Sequence, residues 1–337
     1  MKISRRQFVK AMAAMSAASM LAACGGNSGS GSSGGKKALT FQIWDVAQKE
    51  GMEAMCAAYT QQHPEVSIEV QVTSWNEYWT KLEAAATSNQ MPDIFWMHTN
   101  ELLKYADNGM LADCSDIVEK DKFSEISLSN AMGSNGTLYA VPKDKDTVGL
   151  VYNKEMFDAA GVAYPDENWT WDDLVSASEK IYAATGKYGY MAYADDQLGY
   201  WNFVYQAGGY ILNEDKTKAG FTQPATEKAM KFYIGLQQND WCPDQTYFAE
   251  TAPGTAFFSE KGAMFLEGDW NILAELQNYP EMVGKWDVAV LPKCPDPESG
   301  DGRATISNGL CYATAASNKN LDTVKDILKF FGSEEGQ

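Results

Sequence analysis

The sequence predicts an α/β protein with two domains and, in its first half, a largely parallel sheet. Three observations carry this. From Ala38 to Gly109 the apolar spacing switches between period two and helical period, in the order strand, helix, strand, helix, strand. The 300 residues after Lys37 exceed what one core comfortably organises. No internal repeat is visible, which excludes stacked-repeat architectures.

Each element has its own signal. "ALTFQIW" alternates Leu39, Phe41 and Ile43, as a half-buried strand does. Met52, Met55, Cys56 and Tyr59 then recur at helical spacing up to His63-Pro64. "SIEVQV" alternates Ile68, Val70 and Val72 as a second strand, and Trp75, Tyr78, Trp79 and Leu82 mark a second helix face. "DIFWM" is a short continuous apolar run, read as a buried strand, and a helix follows through Tyr105 to Gly109. In the second half, Thr170 and Asp173 sit as a capping box opening "WTWDDLVSASEKI". Ala229, Phe232, Tyr233 and Leu236 share one helix face, and "GAMFLEGDW" and "WDVAVLP" read as strands or strand ends. In open α/β sheets ligands sit beyond the carboxyl ends of strands. That singles out Trp44-Asp45 and Trp96 to Asn100, which follow strands directly.

Charge and composition exclude several classes. There are 27 basic and 45 acidic residues, a net charge of −18. Residues 1–23 hold four basic and no acidic groups, so without them the charge is −22. Such a surface repels phosphate backbones, which argues against nucleic acid as a partner. Two histidines, His63 and His98, are too few for a histidine-rich metal site. Cys56, Cys114, Cys242, Cys294 and Cys311 match no metal or redox spacing. Cys56 and Cys311, among apolar neighbours, read as core, and a single disulfide among the others stays open. No cofactor motif is present: there is no Walker loop, HExxH, GxSxG or CxxC.

The first 37 residues read as an address and a tether. Lys2, Arg5, Arg6 and Lys10 precede an apolar stretch from Ala11 to Ala23, too short for the roughly 20 residues a spanning helix needs. "LAAC", ending at Cys24, resembles the lipobox of bacterial lipoproteins, in which that cysteine is lipidated and becomes the new N-terminus. "SRRQFVK" resembles a twin-arginine export motif, with Val9 where leucine is usual. Residues 1–23 are therefore assigned to a signal peptide and 24–37 to a lipidated cysteine with a Gly/Ser tether. The expected location is the outer face of a cell membrane, held by lipid on Cys24.

Aromatic residues beside carboxylates and amides are the strongest chemical signal. They are Trp44-Asp45, Trp96 with His98, Thr99 and Asn100, Tyr200-Trp201-Asn202, and Glu267-Gly268-Asp269-Trp270. A sugar needs this mixture: its apolar ring face packs on an indole, and its hydroxyl rim needs donors and acceptors. Trp44, Trp96, Trp201 and Trp270 are read as ligand contacts. Trp75, Trp79, Trp169, Trp171, Trp241 and Trp286 are read as core.

From Leu39 to Gln337 the chain resembles the extracellular solute-binding proteins of ABC importers, of the sugar-uptake type that includes maltose-binding protein. The marks are "MPDIFWMHTNELLKYADNGML", "PKDKDTVGLVYNKEMFDAAGV", "WTWDDL", "QAGGYIL", "FFSEKGAMFLEGDW", "WDVAVLP" and "NGLCYATAASNKNLDTVKDILKFF". The resemblance implies a two-lobed, type II periplasmic-binding-protein-like fold with a hinge and an interlobe cleft. It implies a first lobe begun by 38–147, a second lobe over 148–286, and a return through hinge and first lobe over 287–337. The family usually continues past the third hinge, so part of the second lobe is expected beyond "FFGSEEGQ". It implies ligand contacts at Trp44, Asp45, Trp96, His98, Thr99, Asp144, Asp146, Trp201, Trp270 and Asn308. It implies a monomer that binds a carbohydrate without cleaving it and delivers it to permease subunits in the membrane. Three alternatives stay open: a receptor for a polyamine or peptide, a surface glycoside hydrolase using paired carboxylates, and a surface adhesin.

Overall fold

The chain builds two mixed sheets, each with its own core, and the backbone crosses between them twice at one place. The structure is a computed structural model that describes residues 36–213 and 217–337. The expected signal peptide, lipidated Cys24 and Gly/Ser tether lie outside the described residues, apart from Lys36 and Lys37. The described residues form ten strands: β1 (Lys37–Ile43), β2 (Val66–Val72), β3 (Ile94–His98), β4 (Val141–Pro142), β5 (Asp146–Asn153), β6 (Tyr188–Tyr190), β7 (Gly262–Gly268), β8 (Trp286–Ala289), β9 (Ser307–Asn308) and β10 (Leu310–Ala313).

The first sheet has the order β2-β1-β3-β10-β4. β1 and β3 run parallel, with Phe41 opposite Ile94. β10 lies antiparallel to both β3 and β4, so the sheet is mixed rather than largely parallel. Leu39, Phe41 and Ile43 point inward, as their alternation predicts, and all five residues of β3 are buried. The helix Lys49–Gln62 packs Met55, Cys56 and Tyr59 on this core. The helix Leu321–Phe331 closes it from the far end of the sequence, with Phe331 against Phe41 and Tyr312.

The second sheet has the order β6-β7-β5-β8, with β9 pairing the start of β5. β5 is antiparallel to β7 over five pairs, from Val148–Gly268 to Tyr152–Met264. Both faces of this sheet are covered. Val148 and Leu150 join a core with Leu174, Ile181 and Phe203, while Val151 joins Phe257, Phe258 and Phe265 on the other side. This explains why "GAMFLEG" is buried at every position. The capping box at Thr170 forms: its Oγ1 accepts from the Asp173 N–H, and Asp173 Oδ2 accepts from the Thr170 N–H at 2.9 Å. That helix ends at Gly186, whose φ of +67° suits glycine.

The second lobe reaches further than 148–286. β8 pairs β5, and Leu291, Cys294 and Ile306 pack in the same core as Val148, so the chain leaves this lobe only after Ile306. The five described cysteines are all buried and unpaired. Burial pushes the thiols of Cys56, Cys114 and Cys242 up to about 12, so they are inert.

Phe331 is fully buried and ties the last helix to the first strand. Phe331→Ala is expected to lower stability by about 3–5 kcal/mol, read as a shift of the urea midpoint.

Candidate ligand-binding cleft

Strand ends and helix starts from both sheets converge on a cleft of about 420 Å³. That lies within the roughly 300–1,000 Å³ typical of small-molecule sites. Trp44 and Asp45 follow β1, and His98 ends β3. Asp146 begins β5, Asn308 ends β9 and Leu310 begins β10. Trp270 and Asn271 follow β7, and Asp195, Gln197 and Leu198 precede the helix Trp201–Gln206.

The first-sheet wall is aromatic. Trp44 meets Trp75, Tyr78 and Trp96 edge to face, with ring centroids 5.1, 4.9 and 5.0 Å away. Trp75 starts the helix Trp75–Thr87 and is 42 % exposed. Trp96 is wholly buried behind Trp44. On the opposite wall Trp270 crowds Gly268: a methyl on Gly268 would come within 2.3 Å of the indole, so that position has room for glycine alone.

The polar groups are pre-set. Asp45 accepts from the Ala47 N–H at 2.8 Å and from Gln48 Nε2 at 3.0 Å. Gln48 Oε1 accepts from Lys143 Nζ at 2.9 Å. Lys143 also pairs with Asp144 Oδ2 at 2.5 Å and lies 4.9 Å from the centre of the Trp96 ring. His98 caps the next helix, its Nδ1 accepting from the Asn100 N–H at 3.2 Å. Burial lowers the His98 pKa to about 4, against the pull of Asp144. The imidazole is therefore neutral and offers its Nε2–H as a donor. Asn308 Nδ2 donates to Gln197 Oε1, joining the crossing strand to the second lobe.

Six of the expected contact residues line the cleft: Trp44, Asp45, His98, Asp146, Trp270 and Asn308. Four do not. Trp96 sits in the middle strand of a sheet covered on both faces, so its indole is enclosed. Asp144 is occupied by Lys143 and by the Leu310 N–H, which donates to its Oδ1 at 2.6 Å. Thr99 starts the helix Thr99–Asp107 beside His98 without facing the cleft. Trp201 packs on the second core. Trp75, assigned to the core from sequence, lines the cleft instead. Gln48, Asp195, Gln197, Leu198, Asn271 and Leu310 were not foreseen. Only Asn271 had a signal within reach, its place directly after Trp270.

A family model described as bacterial extracellular solute-binding protein matches residues 44–337. The chain belongs to this family. Among curated relatives, an arabinooligosaccharide-binding protein of Bacillus subtilis (strain 168) is 27% identical over 335 residues, covering 94% of this chain and 74% of that one. A diacetylchitobiose binding protein of Streptomyces coelicolor is 25% identical over 346 residues, covering 97% and 78%. Among solved structures, a cyclic alpha-maltosyl-1,6-maltose binding protein from Arthrobacter globiformis superposes with a TM-score of 0.71 at 26% identity, covering 89% and 76%. An ABC substrate-binding protein from Listeria monocytogenes in complex with cycloalternan shares the fold, with a TM-score of 0.77 at 24% identity over 89% and 76%. The solute-binding protein is thus an α/β chain of the type II class, with its cleft at the strand ends.

Asp146 is the electrostatic oddity of the cleft. Burial, then the charges of Asp144 and Asp269, push its pKa up to about 7 against the pull of Lys143. An unfolded aspartate titrates near 3.9. The folded state therefore binds more protons between about pH 4 and 7, and this group makes stability fall as pH rises through that window. Asp146→Asn should be more stable than the parent at pH 8, by about 1–2 kcal/mol once solvent screening is allowed for. The gap should close by pH 4, as urea unfolding at each pH would record.

Proposed function

We propose that this solute-binding protein is the carbohydrate receptor of an ABC importer. The observation that carries the reading is the composition of the cleft. Indoles from both lobes, Trp44 and Trp75 on one side and Trp270 on the other, alternate with fixed polar groups at Asp45, His98, Asp146 and Asn308. Aromatic faces take the apolar side of a pyranose, and each hydrogen bond from a hydroxyl to a carboxylate contributes about 1.5–3 kcal/mol. The oligosaccharide-binding relatives support the same class of cargo.

The mechanism follows from where these groups stand. A ligand favours a closed state only through contacts that the open state lacks. Here those contacts come from two lobes joined by short strands, the arrangement of a hinge. Closure shields the sugar from water, and no bond in it is broken. The loaded form would then be presented to permease subunits, with lipid on Cys24 keeping the monomer at the outer membrane face.

Calorimetric titration against a panel of oligosaccharides tests this. One sugar class should bind and be recovered intact. Trp75→Ala and Trp270→Ala should each weaken it at least about tenfold, and Trp201→Ala should not. Absence of binding by any sugar would sink the carbohydrate reading, and release of shorter sugars would favour hydrolysis.

A further inference from the structure

A second chamber, of about 240 Å³, adjoins the cleft; the two volumes share Leu198 and Asn271 as walls. Its remaining walls come from Met191 and Tyr193 after β6, from the end of β7, from the helix Pro253–Phe258 with Ala252 before it, and from the helix Ile272–Asn278. Two carboxylates face it. Glu267 is only 6 % exposed. Its Oε1 accepts from the Gly268 N–H and from Asn271 Nδ2, both at 2.8 Å. Its Oε2 accepts no hydrogen bond among the described residues and stays open to the chamber. Glu275 holds a buried Oε2 that likewise has no hydrogen-bond partner among them. A methyl on Gly254 would stand 3.2 Å from Glu275 Oε1 and 3.6 Å from Glu267 Oε2, so the two carboxylates converge on one opening.

A buried carboxylate oxygen without a donor, as Glu275 Oε2 is, is costly, because nothing replaces the water it loses. Nearby carboxylates do have donors: Asp45 has Gln48 and a backbone N–H, and Asp144, behind the cleft wall, has Lys143. In the chamber the cost of Glu275 Oε2 is not met, and Glu267 Oε2 faces the same space with no donor. Among the described residues no lysine or arginine lines either volume, while Asp195 adds a further negative charge on the cleft side. We propose that the chamber takes a protonated amine of the cargo, so that the carbohydrate delivered is an amino sugar with a free ammonium group. This rests on the carbohydrate reading of the main cleft. An ammonium has three donors and no acceptor, which suits two convergent carboxylates and would repel none of the lining groups. Burial, then Glu275 and Asp195, raise the Glu267 pKa to about 7 against its two hydrogen bonds. An acid lifted in that way lacks a counter-charge, and the ammonium supplies one.

The test is calorimetric titration at pH 8 with oligosaccharides matched in length and linkage. One member of each set carries free amines, one is N-acetylated and one has hydroxyls only. The free amine should bind roughly 10- to 100-fold more tightly than its N-acetylated partner, the worth of one hydrogen bond to a charged group. Glu275→Gln and Glu267→Gln should each bring that ratio close to one. Circular dichroism would confirm that each variant is folded, and the partly exposed Glu275 keeps the test usable if the deeper substitution misfolds. Equal affinity for all three forms would overturn the amine inference and leave the carbohydrate reading standing. A preference that survives both substitutions would overturn the chamber's part in it. Binding of no sugar, whatever a linear polyamine does, would overturn both readings.

Discussion

The ammonium of Lys143 is the constraint on which the rest of the cleft depends. It sits largely out of water, paired with Asp144, bonded to Gln48 and set over the Trp96 ring. A buried ion pair is worth keeping only when its remaining valences are filled, and here they are filled by parts of the machine. Through Gln48 the charge fixes Asp45 on the cleft rim. Through Asp144 it fixes Leu310, the first residue after the second crossing. Through Trp96 it backs the aromatic wall that Trp44 and Trp75 present. The two backbone crossings also lie close: a methyl on Gly309 would come within 2.6 Å of the Asp144 carbonyl oxygen. Two crossings so close together give the lobes a common pivot beside the cleft.

Much of this architecture is legible in the residues, and the reasons for the rest are physical. Leu39, Phe41 and Ile43 alternate because one face of β1 is buried more deeply than the other, and the helix faces at Met55 and Ala229 show their period for the same reason. "DIFWM" has no alternation, because both of its faces are covered. Nothing local then says whether Trp96 looks into the cleft or into the core. Trp75 has the opposite difficulty. Its spacing with Tyr78, Trp79 and Leu82 is that of a buried face, yet as the first residue of its helix it extends past the core that the later turns cover.

The hinge shows the same limit at closer range. Asp144 and Asp146 are two residues apart and chemically identical, but one is neutralised by a neighbouring lysine and the other faces the cleft among like charges. Only the path of the returning strand separates them, because Asn308 pairs with Asp146 and Leu310 bonds to Asp144. That strand comes some 160 residues later. The reach of the second lobe to Ile306 was hidden for a related reason: the loop after β8 has no regular period, and its burial is decided by a core built earlier in the chain.

The cleft is lined from strand ends and first helical turns, not from the middles of strands. This arrangement separates two kinds of evolutionary change. Substitutions at Trp75, Gln197 or Asn271 redraw what the molecule recognises while leaving the packed sheets alone. Substitutions at Phe41 or Leu150 endanger folding without retuning recognition. A lineage can therefore move to a new nutrient through a handful of rim positions, on a scaffold whose stability was settled beforehand.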